Sequence, residues 1–492
     1  MIAVRPALSH KGDWPKMAVG GGNLFDRYIA FHARTKPLAR AVVTIDGSVT
    51  FERFDQDINR AMHELIGLSA GDGEAACVAV GSSYLEWVLV LALARLGIAS
   101  APSDDLACKQ RIGDGTRHSG AASLILDGAA IARILEGPPK SIPPIRPNLR
   151  ALARVLQSSG TTGEQKRIGM SWQVIDAAIR NALIAYGAPE GPWLASTGIN
   201  TILGFVVTLA CWAAGNPAVL GLYGRLRPDQ LAALRPRLIA LVPDQLQRLL
   251  EDLPDTFEKQ PLRVISGGGP VPSQLARKTR LHLTSDLRSV YGASETGAIA
   301  IADLQLLEQE DGAAGYILPM VDVDIVDELG HKQPPGTLGR IRVRSDRVAD
   351  HFFGDKQEQA DGSGDGWTKL SDLGRLREDG LLRIDGRVDD IMNLAGHKVL
   401  PAWVEKAALS YADVADAAAF AVPDDEGLDR CWLAVVTRPG FTDARLTAAL
   451  AHQLSWLAQI KLLKLDQLPR NQMGKIQRDQ LRALAVVQSG KG

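Results

Sequence analysis

The chain has 492 residues, with 55 lysines and arginines against 56 aspartates and glutamates. At one core per ~150 residues this length implies about three units, and the even charge excludes the electropositive field needed to hold nucleic acid or an anionic membrane. The four cysteines, Cys77, Cys108, Cys211 and Cys431, form no C-x-x-C pair, so neither a zinc site nor a disulfide framework is expected, and a reducing cytoplasm fits.

The opening Met1-Ile2-Ala3-Val4-Arg5-Pro6 has no apolar run of the secretory type. Ala41 to Ile45 and Val49 to Phe51 flank Asp46-Gly47 and predict a hairpin. Phe54, Ile58, Ala61 and Leu65 then recur at helical spacing, followed by a strand at Ala76 to Val80 and a helix near Trp87 to Leu96. Strands and helices alternate to about residue 320, the pattern of a layered α/β core with mainly parallel sheets. Ile202 to Ala214 is apolar but is broken by Gly215-Asn216-Pro217, short of the ~20 residues of a bilayer span, so a buried helix is expected and no membrane span. From Val321 short alternating runs, Val321 to Val326 and Arg340 to Arg344, predict a small antiparallel β unit of barrel-like form. The expected organisation is an N-terminal region 1–387, comprising α/β subdomains of about 1–150 and 151–320 and a β unit 321–387. A small mobile α+β domain, 388–492, follows.

Five segments carry chemistry. Ser158-Ser159-Gly160-Thr161-Thr162-Gly163 has the composition of a loop that wraps backbone N–H groups and hydroxyls round phosphate oxygens, with Lys166 adding charge, yet it is no Walker A loop. Ser266-Gly267-Gly268-Gly269 follows an apolar strand, where open α/β sheets bind ligands. Tyr291-Gly292-Ala293-Ser294-Glu295-Thr296 offers a flat ring, a hydroxyl and a hard oxygen ligand. Asp372 presents a carboxylate suited to a vicinal diol, Arg387 a donor fork, and Gly474-Lys475 a mobile cation.

Jointly and in this order, these segments resemble the adenylate-forming acyl-CoA synthetases, luciferases and peptide-synthetase adenylation domains, and the resemblance runs over nearly the whole chain. It implies an ATP-dependent ligase that joins a carboxylic acid to CoA through an acyl-adenylate. ATP would be held by Ser158 to Gly163, Lys166, Gly267 to Gly269, Tyr291, Asp372 and Arg387. Mg²⁺ would be held by Glu295, with Ser294, Glu295 and Lys475 catalytic. By the same resemblance Asp389 is a hinge, Gly396, His397 and Lys398 line a thiol channel, and Gly198, Asn200, Thr201, Gly204, Ala293 and Ala298 draw the acid pocket. That pocket is nearly all apolar, and no aspartate stands between 196 and 210 to pair with an α-amino group, which points to an aliphatic or aromatic monocarboxylic acid. Gln165, Arg167 and Ser371 depart from the family pattern. A carrier protein's phosphopantetheine or an amine is the alternative acceptor, and a non-catalytic nucleotide-binding relative is the remaining one.

Overall fold

A computed structural model of the protein describes residues 27–68, 74–102, 105, 108, 110–116, 124–140, 148–159, 165–310, 312–353, 366–394, 397–424, 428–454, 460–470, 474 and 476–488. The fold is α/β. Its largest element is a 13-stranded sheet, whose parallel half holds Arg40–Thr44, Ala218–Val219, Trp193–Ala195, Leu238–Leu241, Arg263–Gly267 and Asp286–Ala293. Trp193–Ala195 and Leu238–Leu241 are short apolar runs buried throughout, as strands covered on both faces must be. Beyond Asp286–Ala293 the sheet turns antiparallel, through Gly297–Asp303, Ala313–Ile317, Leu381–Arg387, Thr368–Leu376, Gly339–Arg344 and Asp322–Val326. The strands expected from Val321 are therefore continuous with the large sheet, joined to it by Leu381–Arg387 on Ala313–Ile317.

A seven-stranded sheet carries Leu152–Ser159 and Gln165–Ser171 as an antiparallel pair beside the parallel strands Ala75–Ala79, Ala99–Ala101 and Gln110–Gly113. Helix Ser83–Arg95 packs on this sheet and helix Ile202–Ala213 on the large one. Trp87 of the first stacks on Phe205 of the second, with ring centroids 5.6 Å apart, and meets Trp212 edge-on at 5.0 Å. Both helices are apolar on nearly every side because each is enclosed rather than facing water. No helix among the described residues is long and apolar enough to cross a membrane.

Cys77 and Cys108 form a disulfide with Cα atoms 6.1 Å apart, which corrects the expectation of unpaired cysteines. Cys77 lies on strand Ala75–Ala79 and Cys108 just before its parallel neighbour Gln110–Gly113. The βαβ crossover returns the chain to the same place, which spacing along the sequence does not reveal.

In the last hundred residues Val414–Pro423 pairs antiparallel with Asp429–Thr437, which pairs parallel with Lys461–Lys464. Alternation assigns the two faces. Ala417, Ala419, Leu433 and Val435 join a core with residues of helices Pro401–Leu409 and Asp443–Gln453. Ala418, Phe420, Trp432 and Ala434 join another with Leu481 and Ala485 of helix Arg478–Gln488.

Candidate active site

The parallel strands Arg263–Gly267 and Asp286–Ala293 end together, with Ser266 opposite Ser289 and Gly267 opposite Val290. Gly267-Gly268-Gly269 thus stands beside Tyr291-Gly292-Ala293 at the carboxyl edge of the sheet, and Gly268, at φ +86°, makes the left-handed turn that ends its strand. Ser294, Glu295 and Thr296 form the bend into Gly297–Asp303. At Gly292 any side chain would collide with the carbonyl of Gly297, so the bend is as tight as glycine permits. The backbone N–H of Ala349 donates to the Glu295 carbonyl at 2.7 Å and ties the loop after Gly339–Arg344 to this bend.

Tyr291 and Asp372, expected as separate nucleotide contacts, are joined. The tyrosine hydroxyl donates to Asp372 Oδ2 at 2.7 Å, and Arg387 Nε lies 3.3 Å from Asp372 Oδ1. Register explains the second contact, since Asp372 faces Arg387 across neighbouring strands. Burial, and then the adjacent carboxylate, push the Tyr291 hydroxyl well above its ordinary pKa, so it remains a donor.

A cavity of about 2550 Å³ collects Gly267 to Gly269, Tyr291 to Glu295, Asp372 and Arg387. Asn200, Thr201 and Ala298 line it too, as do Gly474 and Ile476, the neighbours of Lys475. A Cβ on Gly474 would lie 3.2 Å from Cβ of Asp244, at the start of helix Pro243–Asp252. Lys475 itself lies outside the described residues. The loop around it is closed at its base by the Arg470–Ile476 bridge and by Arg470 Nη1, which donates to the Gly474 carbonyl at 2.8 Å.

Gly160, Thr161, Thr162 and Gly163 also lie outside the described residues, together with the side chains of Ser158, Ser159 and Lys166. The backbones on either side pair Ser158 with Lys166 and Ser159 with Gln165. Arg167, a departure from the family pattern, is occupied structurally: its Nε donates to the buried Asp105 at 2.9 Å. Thr201 uses its hydroxyl to cap helix Ile202–Ala213, accepting from Gly204 N at 3.0 Å. Gly204 allows the loop to cross the helix, because a side chain there would meet the Gly198 carbonyl. His397 and Lys398 are exposed on a hairpin and do not line the cavity, with Lys398 Nζ 2.8 Å from Glu328 of the large sheet region. Gly396 lies outside the described residues. Asp389 is exposed in the short 3-10 turn Val388–Asp390.

Residues 29–353 match the sequence profile of the AMP-binding enzymes. The chain belongs to the AMP-binding enzyme family. The fatty acid–[acyl-carrier-protein] ligase ScoC of Streptomyces coeruleorubidus is 26% identical over 495 residues, covering 92% of this chain and 95% of that protein. The indoleacetate–CoA ligase of Aromatoleum aromaticum is 31% identical over 272 residues, about half of each chain at 52%. ATP-bound MatB from Rhodopseudomonas palustris shares the fold with a TM-score of 0.81 at 24% identity, over 94% of this chain and 98% of that one.

Two charged residues of this AMP-binding enzyme escaped the sequence reading. Arg154, fully buried in strand Leu152–Ser159, donates to Ser100 Oγ at 3.1 Å, to the Ile199 carbonyl at 3.2 Å and to Asn200 Oδ1 at 3.2 Å. It thereby fixes the Asn200 side chain, and burial pushes its guanidinium down to about 10. A lone arginine inside an apolar strand was the available signal. Arg347 lines the cavity with its guanidinium against Gly297, and nothing in its sequence neighbourhood separates it from the arginines just before it.

Proposed function

We propose that the protein activates a small carboxylic acid with ATP and passes the acyl group to a thiol, that of CoA or of a carrier protein's phosphopantetheine. The observation that carries this reading is the convergence of the Gly267 to Gly269 turn, the Tyr291 to Glu295 bend, the Asp372–Arg387 pair and the residues flanking Lys475 on one cavity. In the first step a carboxylate oxygen attacks the α-phosphorus, the bond to the β-phosphate breaks and pyrophosphate leaves. Two anions must approach one another, so the barrier is largely electrostatic, and Lys475 supplies the neutralising charge. Asp372 takes the ribose hydroxyls, its carboxylate already oriented by Tyr291. In the second step the thiol sulfur bonds to the acyl carbon and AMP leaves.

Glu295 suits a Mg²⁺ that arrives with the nucleotide. It lines the cavity, no ion pair to its carboxylate is found among the described residues, and no cluster of three potential ligands accompanies it there. A Mg²⁺ ion needs only one or two protein carboxylates when phosphates and water complete its shell. That ion would neutralise phosphate charge.

Delivery to a carrier protein is the second reading, supported by likeness to an acyl-carrier-protein ligase over nearly the full length. The test is pyrophosphate–ATP exchange across fatty, aromatic and amino acids, followed by acyl transfer to CoA or to a phosphopantetheinylated carrier. Lys475→Ala is expected to lower exchange ~10²–10³-fold. Exchange unchanged by that substitution would remove Lys475 from the chemistry, and exchange with no acid would favour a nucleotide-binding relative without ligase activity.

A further inference from the structure

The walls expected to make an apolar acid pocket contain a buried cation. Arg347 is 5% exposed and its Nε has no hydrogen-bond partner. Among the described residues its guanidinium makes no ion pair, although it lines the cavity. A guanidinium removed from water is costly to hold without a counter-charge, and among the described residues no carboxylate answers it. The residues round it are held in place. Ser345 Oγ accepts from Arg347 N at 3.1 Å and Ala349 N is bonded to the Glu295 carbonyl, so the loop is fixed on both sides of the arginine. Its guanidinium fills the space that a side chain on Gly297 would take, next to Ala298 of the acid pocket.

A second polar group shares this end of the cavity. Tyr186, at the end of helix Trp172–Tyr186, is 4% exposed and lines the same space. Burial holds its hydroxyl above the ordinary pKa, and the charge of Arg347 offsets part of that rise. Ile202, Leu203, Val206 and Ala298 are apolar members of the same lining. Arg387, by contrast, already has Asp372 as a partner.

We propose that Arg347, with Tyr186 beside it, receives a second carboxylate at the far end of the acid, so that the substrate is a dicarboxylic acid activated at one end. The inference rests on the acid-activation reading above. A carboxylate there would meet a charged donor fork in a site drained of water, where such bonds are strongest, and an acid ending in a methyl group would leave the guanidinium unpaired.

The test compares acids matched in skeleton, butanoate with succinate, hexanoate with adipate, and phenylacetate with 4-carboxyphenylacetate. Each is measured by pyrophosphate exchange and by calorimetric titration into protein holding α,β-methylene ATP, whose P–C bond keeps it from transferring its adenylyl group to the acid. The wild type is expected to favour the diacid of at least one pair by roughly tenfold or more, and Arg347→Met to lose about 10²-fold on that diacid and far less on its partner. Binding of the ATP analogue should not change. Arg347→Lys, which keeps the charge, should recover part of the preference, and Arg347→Gln carries the same comparison if the methionine variant does not fold. Preference for monoacids, equal losses on both members of a pair, or weakened binding of the ATP analogue by Arg347→Met would each overturn the assignment. Diacid binding that depends on Arg347 without exchange would keep this inference and sink acid activation. Exchange with monoacids indifferent to Arg347 would do the reverse.

Discussion

Tyr291 illustrates how one side chain serves two surfaces. It was expected among the residues that hold ATP, while its hydroxyl fixes a carboxylate on a strand far along the chain. Removing the hydroxyl leaves Asp372 with Arg387 alone. Tyr291→Phe is therefore expected to raise KM for ATP about tenfold, the loss of one hydrogen bond to a charged group, with little change in KM for the acid. Initial rates at varied ATP and fixed acid measure this, and an effect on the acid alone would contradict it. Tyr291, Asp372 and Arg387 were legible as candidates because short motifs name residue types, but their mutual bonding was not, since the Asp372–Arg387 contact depends on a register between strands Thr368–Leu376 and Leu381–Arg387 and the Tyr291 bond on a third strand brought beside them. Arg347 was illegible for a related reason. It ends the run Arg340-Ile341-Arg342-Val343-Arg344-Ser345-Asp346-Arg347, and only the fold buries the last of these arginines while leaving Arg344 half-exposed.

The same run displays what alternation does reveal. Asp322 and Asp324 lie opposite Arg344 and Arg342, and Val323 and Ile325 opposite Val343 and Ile341, so one face of the pair is charged and the other buried. Asp324 lies 2.6 Å from Lys332 Nζ and 2.8 Å from Arg342 Nη2. Burial would raise its pKa, but the hydrogen bonds and charges of Lys332 and Arg342 prevail and hold it below the usual value. A depressed carboxylate stabilises the fold above its unfolded pKa, ~3.9, and that contribution is lost as pH falls through the folded value. Asp324→Asn should thus lower the melting temperature at pH 7 and converge with wild type below about pH 3. Equal differences at both pH values would exclude this cause. At the bend Ala293 to Gly297 the limit is steric. Gly292→Ala must push back the Gly297 carbonyl, at roughly 1–3 kcal/mol, with loss of pyrophosphate exchange read beside thermal unfolding. The antiparallel strands expected from Val321 were found as elements. Their fusion with the parallel half was hidden because the bond between Leu381–Arg387 and Ala313–Ile317 joins segments with four other strands between them in sequence.

Across the whole molecule, the cavity draws its walls both from the large sheet and from the region after residue 388. We propose that transfer to a thiol involves a turn of the region after residue 388 about Asp389, which would carry His397 and Lys398 toward the cavity. Asp389→Pro should spare pyrophosphate exchange and impair acyl transfer to the thiol. Equal loss in both steps would refute the hinge. The ion pair of Lys398 with Glu328 would have to open during such a turn, and being exposed it costs little to break.

Val388, Asp389 and Asp390 separate two fixed points. Behind them Arg387 is paired to Asp372 on the large sheet. At their far end Asp390 lies 3.4 Å from Arg478, which also binds Glu405 at 2.7 Å and the Ala419 carbonyl at 3.1 Å. A rotation within this turn strains neither anchor. On the proposed turn the terminal region would act as a stiff lever on a short axle, with the pivot's first bearing beside Asp372, so that filling or emptying a nucleotide site there would change the footing on which the lever swings.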